Sequence, residues 1–407
     1  MNEAQFAEIS RWITEAGLAG RSEIEMLDGF CTRLQATGMP LAFAVVVADT
    51  LHPVHEGHAI RWYRDKPETT IVNYGPSTEG QAAESWRRSV FYRLFSTDQP
   101  FIRLRLTPEA EAEFPGLKGN REEGMTDYVA IMNRFAAEGI IGEADCVFTA
   151  WTSDKPEGFS DADLADLERL APYLAIAVKC ATLAGIAQTL VQTYLGRDAG
   201  ERVLAGRIGR GVTEKIDAVL WFSDLRGYTR ISDTAEPGQI IPLLNDYAEA
   251  VISAIYGQGG DVLKLIGDGV LAIFRAGDNR QQACLAAIAA TAAIKTAVVT
   301  LNQERAAAGL PTTHLYLGLH VGEVLFGNIG SKDRLDFTVV GPAVNEVSRI
   351  AALCRSVDQK VLISSAFATA LGSSGPRLAS VGRYALRGVS QAQDLYTIDP
   401  VQPLITP

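Results

Sequence analysis

The chain has 407 residues, of which 47% are hydrophobic, and a formal net charge of -11. That length exceeds one ordinary core and that composition excludes a disordered chain, so two domains are expected. The acidity excludes nucleic acid or an anionic membrane surface as the main partner, and any polyanion must be held by a local site.

The five cysteines, Cys31, Cys146, Cys180, Cys284 and Cys354, are far apart and form no CxxC pair, which fits reduced thiols. The opening stretch MNEAQFAEIS is acidic and lacks a signal-peptide core, so a cytoplasmic location is expected. Residues 25–180 carry no recognisable catalytic set. Within them His52, His55 and His58 stand three apart. A loop or strand at that spacing would not bring all three to one point, so they read as ordinary surface or hydrogen-bonded histidines.

Ser160, with Asp163 three residues on, reads as a helix N-cap with an acidic first turn. Leu164, Leu167, Leu170, Leu174 and Val178 then recur at helical steps, followed by Leu183, Ile186, Leu190 and Thr193. The stripe predicts one long helix joining two domains and pairing with its twin in a dimer. Residues 171–196 have the length of a membrane span, but Lys179, Gln188 and Gln192 sit inside them. A central lysine costs roughly 2.5 to 3.5 kcal/mol on insertion, so no span is expected. The run GRDAGERVLAGRIGRG (196–211) breaks the pattern as a connector would. The expected organisation is a regulatory domain over 1–180, a helical connector over 181–213 and a catalytic domain over 214–407.

Beyond the connector, strands and helices alternate. AVLWFS reads as a buried strand and LLNDYAEAVISAIYGQGG as a helix ended by glycines. VLKLIGDGVLAIF reads as a hairpin turning at Gly-Asp-Gly, and HLYLGLHVGEVLFGNIG as a further pair of strands. A mixed sheet flanked by helices follows, in the α+β or α/β class.

Two carboxylates stand out in this half. Asp224, in WFSDLRGYT, lies at a strand end ahead of Gly227, and Asp268 lies at the hairpin tip between two glycines. Carboxylates at neighbouring strand ends can hold two divalent cations, and magnesium prefers a few carboxylates together with substrate phosphates, the arrangement of two-metal phosphoryl transfer. Singly, each has a plainer reading: Asp268 as a turn former, Asp224 as a helix N-cap. Gly267 to Ala272 fits GxGxxA but precedes a strand, and Gly322 to Gly327 starts a P-loop spacing with Asn328 where lysine is required. Neither dinucleotide nor Walker motif survives.

FSDLRGYT, then VLKLIGDGVLAIF, then DFTVVGPAVNEVSRI, taken in order, resemble the catalytic domain of class III nucleotide cyclases over residues 214–400. The resemblance implies a ferredoxin-like catalytic domain that converts ATP to 3′,5′-cyclic AMP and pyrophosphate with two Mg²⁺ or Mn²⁺ ions. It makes Asp224 and Asp268 the metal ligands, Asn345 the residue that orients the ribose, and Arg349 the cation that neutralises the α-phosphate. Lys264 and Thr338 fall at the two positions that choose the base, where adenine-selective members carry lysine with Asp, Thr or Ser. Counting back from Asn345 gives Thr338 and not the nearby Asp336. Lysine only donates, which suits the N1 acceptor of adenine and opposes the N1–H of guanine. Arg387 lies near where the family often has a phosphate-binding lysine, from which it departs.

In the family one subunit supplies the aspartates and the other supplies Lys264, Thr338, Asn345 and Arg349, so a homodimer is implied. Threonine at the second base position resembles the class IIIb subgroup, which adds bicarbonate as an expected stimulant. The run from TDYVAIMNRF through GEADCVFTAWTSDKPEGFSDADLADLERLAPYL resembles the C-terminal half of a GAF domain, implying a GAF-like sensory domain with a small ligand of unknown identity. A silent nucleotide-binding scaffold and a guanylate cyclase are the alternatives.

Overall fold

The computed structural model describes residues 1–66, 68–135, 141–142, 144–389 and 391–399, which divide into two units, Met1–Leu190 and Val191–Pro407. The first unit opens with helices α1 (Glu3–Leu18) and α2 (Glu23–Ala36) and strands β1 (Phe43–Asp49), β2 (Gly57–Tyr63) and β3 (Thr70–Tyr74). There follow α3 (Gly80–Arg87), α4 (Val90–Thr97), β4 (Phe101–Arg105), α5 (Pro108–Glu113) and α6 (Lys118–Glu122). Strands β5 (Asp127–Arg134) and β6 (Cys146–Ser153) precede the long α7 (Asp161–Leu195).

The six strands form one antiparallel sheet in the order β3-β2-β1-β6-β5-β4. Because side chains alternate across a strand, β1 sends Ala44 and Val46 to one face and Phe43 and Val45 to the other. The first pair packs with Phe30 of α2, Trp151 of β6 and Leu170 and Leu174 of α7; the second packs with Leu94 of α4, Phe114 and Phe148. Burial of each such side chain contributes roughly 1.5 to 3 kcal/mol.

Helix α7 begins as the sequence predicts. Asp163 N–H donates to Ser160 Oγ, and Ser160 N–H and Oγ–H both donate to the Asp163 carboxylate, closing a capping box. It runs unbroken through Pro172, with Leu167, Leu170, Leu174, Val178 and Ile186 buried.

The second unit continues with α8 (Arg197–Leu204), β7 (Thr213–Leu225), α9 (Tyr228–Thr234), α10 (Pro237–Gly257), β8 (Asp261–Ile266) and β9 (Gly269–Arg275). Then come α11 (Arg280–Ala307), β10 (Leu315–Gly330), β11 (Leu335–Val340) and α12 (Pro342–Leu353). It closes with β12 (Val361–Ser364), α13 (Ser365–Leu371), β13 (Leu378–Tyr384) and β14 (Gln393–Ile398). The sheet order is β13-β14-β12-β10-β7-β9-β8, with β11 paired to β10. The β10–β12 pair is parallel and the others are antiparallel, so the sheet is mixed.

One expectation fails here. HLYLGLHVGEVLFGNIG is a single strand, paired with β7 from Leu315↔Leu225 to Gly327↔Thr213. Its inner glycines are not turns. A Cβ at Gly318 would lie 2.7 Å from Val347 O and one at Gly322 2.9 Å from Ala343 Cβ, so both let α12 lie directly on the strand. Helices α10, α11 and α13 cover the opposite face around Trp221, Tyr247 and Phe274. Among the described residues two helices, α7 and α11, are long and apolar enough by composition to cross a membrane. In α11, Cys284, Ala287, Ile294 and Val298 pack against this face of the sheet.

Candidate active site

Asp224 is the penultimate residue of β7, and alternation places it on the same face as Ala218 and Leu220, the face that carries α12. Its half-buried position comes from the strand. Gly227, at φ 73°, then turns the chain into α9, whose N-cap is that glycine and not Asp224.

Asp268 occupies the tip of the β8–β9 hairpin, where Ile266 pairs with Gly269. Gly267 has φ 62°, a conformation that costs any other residue roughly 1 to 2 kcal/mol. Gly269 serves differently: a Cβ there would lie 3.0 Å from Ser223 O, so its absence lets the hairpin close against β7 one residue before Asp224.

The two carboxylates meet at one donor. Leu225 N–H donates to Asp224 Oδ1 at 3.1 Å and to Asp268 Oδ2 at 3.2 Å. Burial, followed by the bond to and charge of Asp268, pushes the Asp224 carboxyl up to about 7. Two acids this close resist ionising together, and a divalent cation is the partner that removes the conflict. The donor set, two hard carboxylate oxygens beside an open surface, fits Mg²⁺ or Mn²⁺. A cavity of about 190 Å³ opens beside Asp268, lined also by Leu225, Ile241, Asn245 and Leu315.

Lys264 is aimed by a bulge. The β8–β9 register slips between Val262 and Lys264, and bulges re-aim the side chains that follow them. Its ammonium is ion-paired with the Asp336 carboxylate on β11. Thr338 lies two residues further along the same face of β11, half-buried, opposite Gly327 of β10. Asp336, two residues short of the position that counting back from Asn345 gives, is the partner of Lys264. The signal available in the sequence was its i, i+2 relation to Thr338.

Asn345 and Arg349 sit one turn apart on the exposed side of α12, whose Ala343, Val347 and Ile350 are buried. Arg387 is exposed in the turn between β13 and β14. Among the described residues no hydrogen bond or ion pair joins these three to the aspartates. One chain therefore assembles the carboxylate pair at the Leu225 amide and, separately, the Lys264–Asp336 pair.

Residues 212–400 match the family model of the adenylate and guanylate cyclase catalytic domain. The chain is similar to an adenylate cyclase of Anabaena cylindrica, 35% identical over 161 residues, covering 39% of this chain and 31% of that protein. It is also similar to adenylate cyclase 1 of Rhizobium meliloti, 26% identical over 198 residues, covering 48% and 29%. The chain thus spans about a third of the length of these relatives. Similar solved structures include the adenylyl cyclase CyaB from P. aeruginosa, with TM-score 0.44 and 24% identity, covering 48% of this chain and 100% of that one. The guanylyl cyclase Cya2 is another, with TM-score 0.41 and 28% identity, covering 47% and 98%.

Proposed function

We propose, from the premise that residues 212–400 are a nucleotide cyclase catalytic domain, that the protein makes 3′,5′-cyclic AMP and pyrophosphate from ATP at sites shared by two copies of the chain. The observation that carries the reading is the convergence of Asp224 and Asp268 on the Leu225 amide.

Asp224 and Asp268 hold divalent cations, Mg²⁺ or Mn²⁺, which when bound supply Lewis-acid stabilisation of the ribose 3′-oxygen and of the departing pyrophosphate. The 3′-hydroxyl gives up its proton to solvent water, its oxygen bonds to the α-phosphorus, and the bond from that phosphorus to the bridging β-phosphate oxygen breaks, releasing pyrophosphate. Arg349 donates to the α-phosphate oxygens as charge builds there, a contribution of several kcal/mol when the cation is preorganised. Asn345 orients the ribose from the preceding turn of α12, and Arg387 meets the triphosphate.

Lys264 donates to adenine N1. An ammonium has three donors, so it keeps Asp336 and the base at once. Thr338 supplies a hydroxyl acceptor for the adenine amino group. Lysine at this position disfavours guanine, and with it a guanylate cyclase.

The cavity beside Asp268 is below the roughly 300 to 1,000 Å³ of sites that enclose a small molecule, so further walls are needed. The exposed face of α12 from a second copy supplies them in this reading. The first unit acts as the regulatory, GAF-like sensor, linked through α7.

The test is cyclic nucleotide formation by the purified full-length chain with ATP or GTP, in Mg²⁺ and in Mn²⁺, beside Asp268→Ala. Cyclic AMP from ATP, abolished by the substitution, supports the reading. Nucleotide binding without product in every condition supports the silent scaffold instead.

A further inference from the structure

His52, His55 and His58, which their spacing alone would keep apart, line one cavity of the first unit. It measures about 780 Å³ and lies between the α1–α2 turn, the β1–β2 connection and α7. The space exists because α7 presents Ala181, Ala184 and Gly185 there, side chains too small to fill it. Its volume falls within the roughly 300 to 1,000 Å³ of small-molecule sites.

The wall chemistry narrows the occupant. Arg21, His52, His55, His58, Asn73 and Gln188 face the space, with no long aliphatic chain and no Phe, Tyr or Trp among the described lining residues. A flavin, haem or acyl chain needs apolar walls and does not fit. No three His, Cys, Asp or Glu side chains converge as metal ligands among the described residues, so the histidines are not a metal cage.

Charge is decisive. Glu23 is the one carboxylate among the described lining residues, and both its oxygens are engaged: Oε1 accepts from Thr182 Oγ at 2.6 Å, and Oε2 lies 2.6 Å from His58 Nε2. The His58 contact is not aligned as a hydrogen bond, and that buried nitrogen has no other partner. Arg21 makes no ion pair or side-chain hydrogen bond among the described residues. His52 accepts at Nδ1 from the amides of Val54 and His55, which leaves its other ring nitrogen as an N–H donor. The wall thus offers the Arg21 guanidinium and a ring N–H of His52 as donors, and both oxygens of its one carboxylate among the described lining residues are already engaged.

We infer that this cavity binds a small polar metabolite bearing carboxylate or phosphate groups, with Arg21 and the histidines as its anion contacts. Thr182 belongs to α7, so the His58–Glu23–Thr182 chain ties the wall to the helix that runs on past Leu190. Occupancy alters amide exchange along α7 beyond Thr182.

Calorimetric titration of the full chain tests this, with citrate and glucose 6-phosphate as carboxylate and phosphate arms, glucose as the neutral control, and zinc chloride. Saturable binding of either anionic probe but not glucose is expected. It should weaken about tenfold in Arg21→Ala and in His55→Ala, as loss of a hydrogen bond to a charged group predicts. Ala184→Leu should also weaken it, by filling the space without removing charge. The readout is binding, independent of nucleotide turnover, so it stands or falls apart from the cyclase reading. Saturation by neither anion, binding of zinc alone, or binding unchanged in Arg21→Ala overturns the inference.

Discussion

Asp224 and Asp268, forty-four residues apart in the chain, accept from a single backbone donor, the N–H of Leu225, at 3.1 and 3.2 Å. One amide cannot neutralise two carboxylates. Burial and the Asp268 carboxylate push Asp224 up to about 7, so the metal-free site holds a proton that the unfolded chain would release near 3.8.

The sign follows from linkage. Between those two values the folded state binds more protons than the unfolded one, so the stability contributed by Asp224 is full below 3.8 and is lost as pH rises through about 7. Asp224→Asn cannot ionise. In EDTA, the variant should therefore gain on the wild type in unfolding free energy as pH is raised from 5 to 8. A difference that stays flat with pH contradicts the assignment.

Metal binding should show the same proton. A cation needs both carboxylates ionised, so Mn²⁺ affinity should rise about tenfold per pH unit below 7 and level off above it. Titration calorimetry in two buffers of different ionisation heat would also count the proton released. Asp268→Asn should lose the affinity at every pH.

The two glycines beside Asp268 should fail for different reasons. Gly267→Ala meets nothing within 4 Å and suffers only from its positive φ, a cost of roughly 1 to 2 kcal/mol. Gly269→Ala drives a Cβ toward Ser223 O at 3.0 Å, for about 1 to 3 kcal/mol of overpacking and a hairpin pushed off β7. Denaturant unfolding measures both costs. Only Gly269→Ala should weaken Mn²⁺ binding beyond its cost in stability.

Base selection should separate Lys264 from its partner. Lys264→Ala should lower kcat/KM for ATP about a hundredfold, the scale of losing a charged hydrogen bond to the base. Asp336→Asn should cost less than about tenfold and act mainly on KM, because the ammonium retains donors for the base. Equal losses would make Asp336 itself a base contact.

Shared sites predict complementation. In an equal mixture of Asp224→Ala and Arg349→Ala chains, half the dimers are mixed and each holds one intact site, so roughly a quarter of wild-type activity should return. No recovery in the mixture, with dimers confirmed by sedimentation, would place a whole site within one chain.

Features that depend on near neighbours are written into the chain itself. The Ser160–Asp163 cap, the leucine stripe of α7, the turn at Gly267–Asp268 and the strand that carries Asp224 near its end are set by local hydrogen bonds, glycine conformation and side-chain periodicity, and all are legible within a short window. Tertiary structure alone decided how distant segments meet. Pairing along the whole of β7 made HLYLGLHVGEVLFGNIG one strand, and α12 took the space its glycines leave. A bulge turned Lys264 toward Asp336, and small residues on α7 brought three histidines to one cavity. Register and close approach are settled by burying both faces of a sheet against elements far away in sequence, a sum over contacts that no local pattern contains.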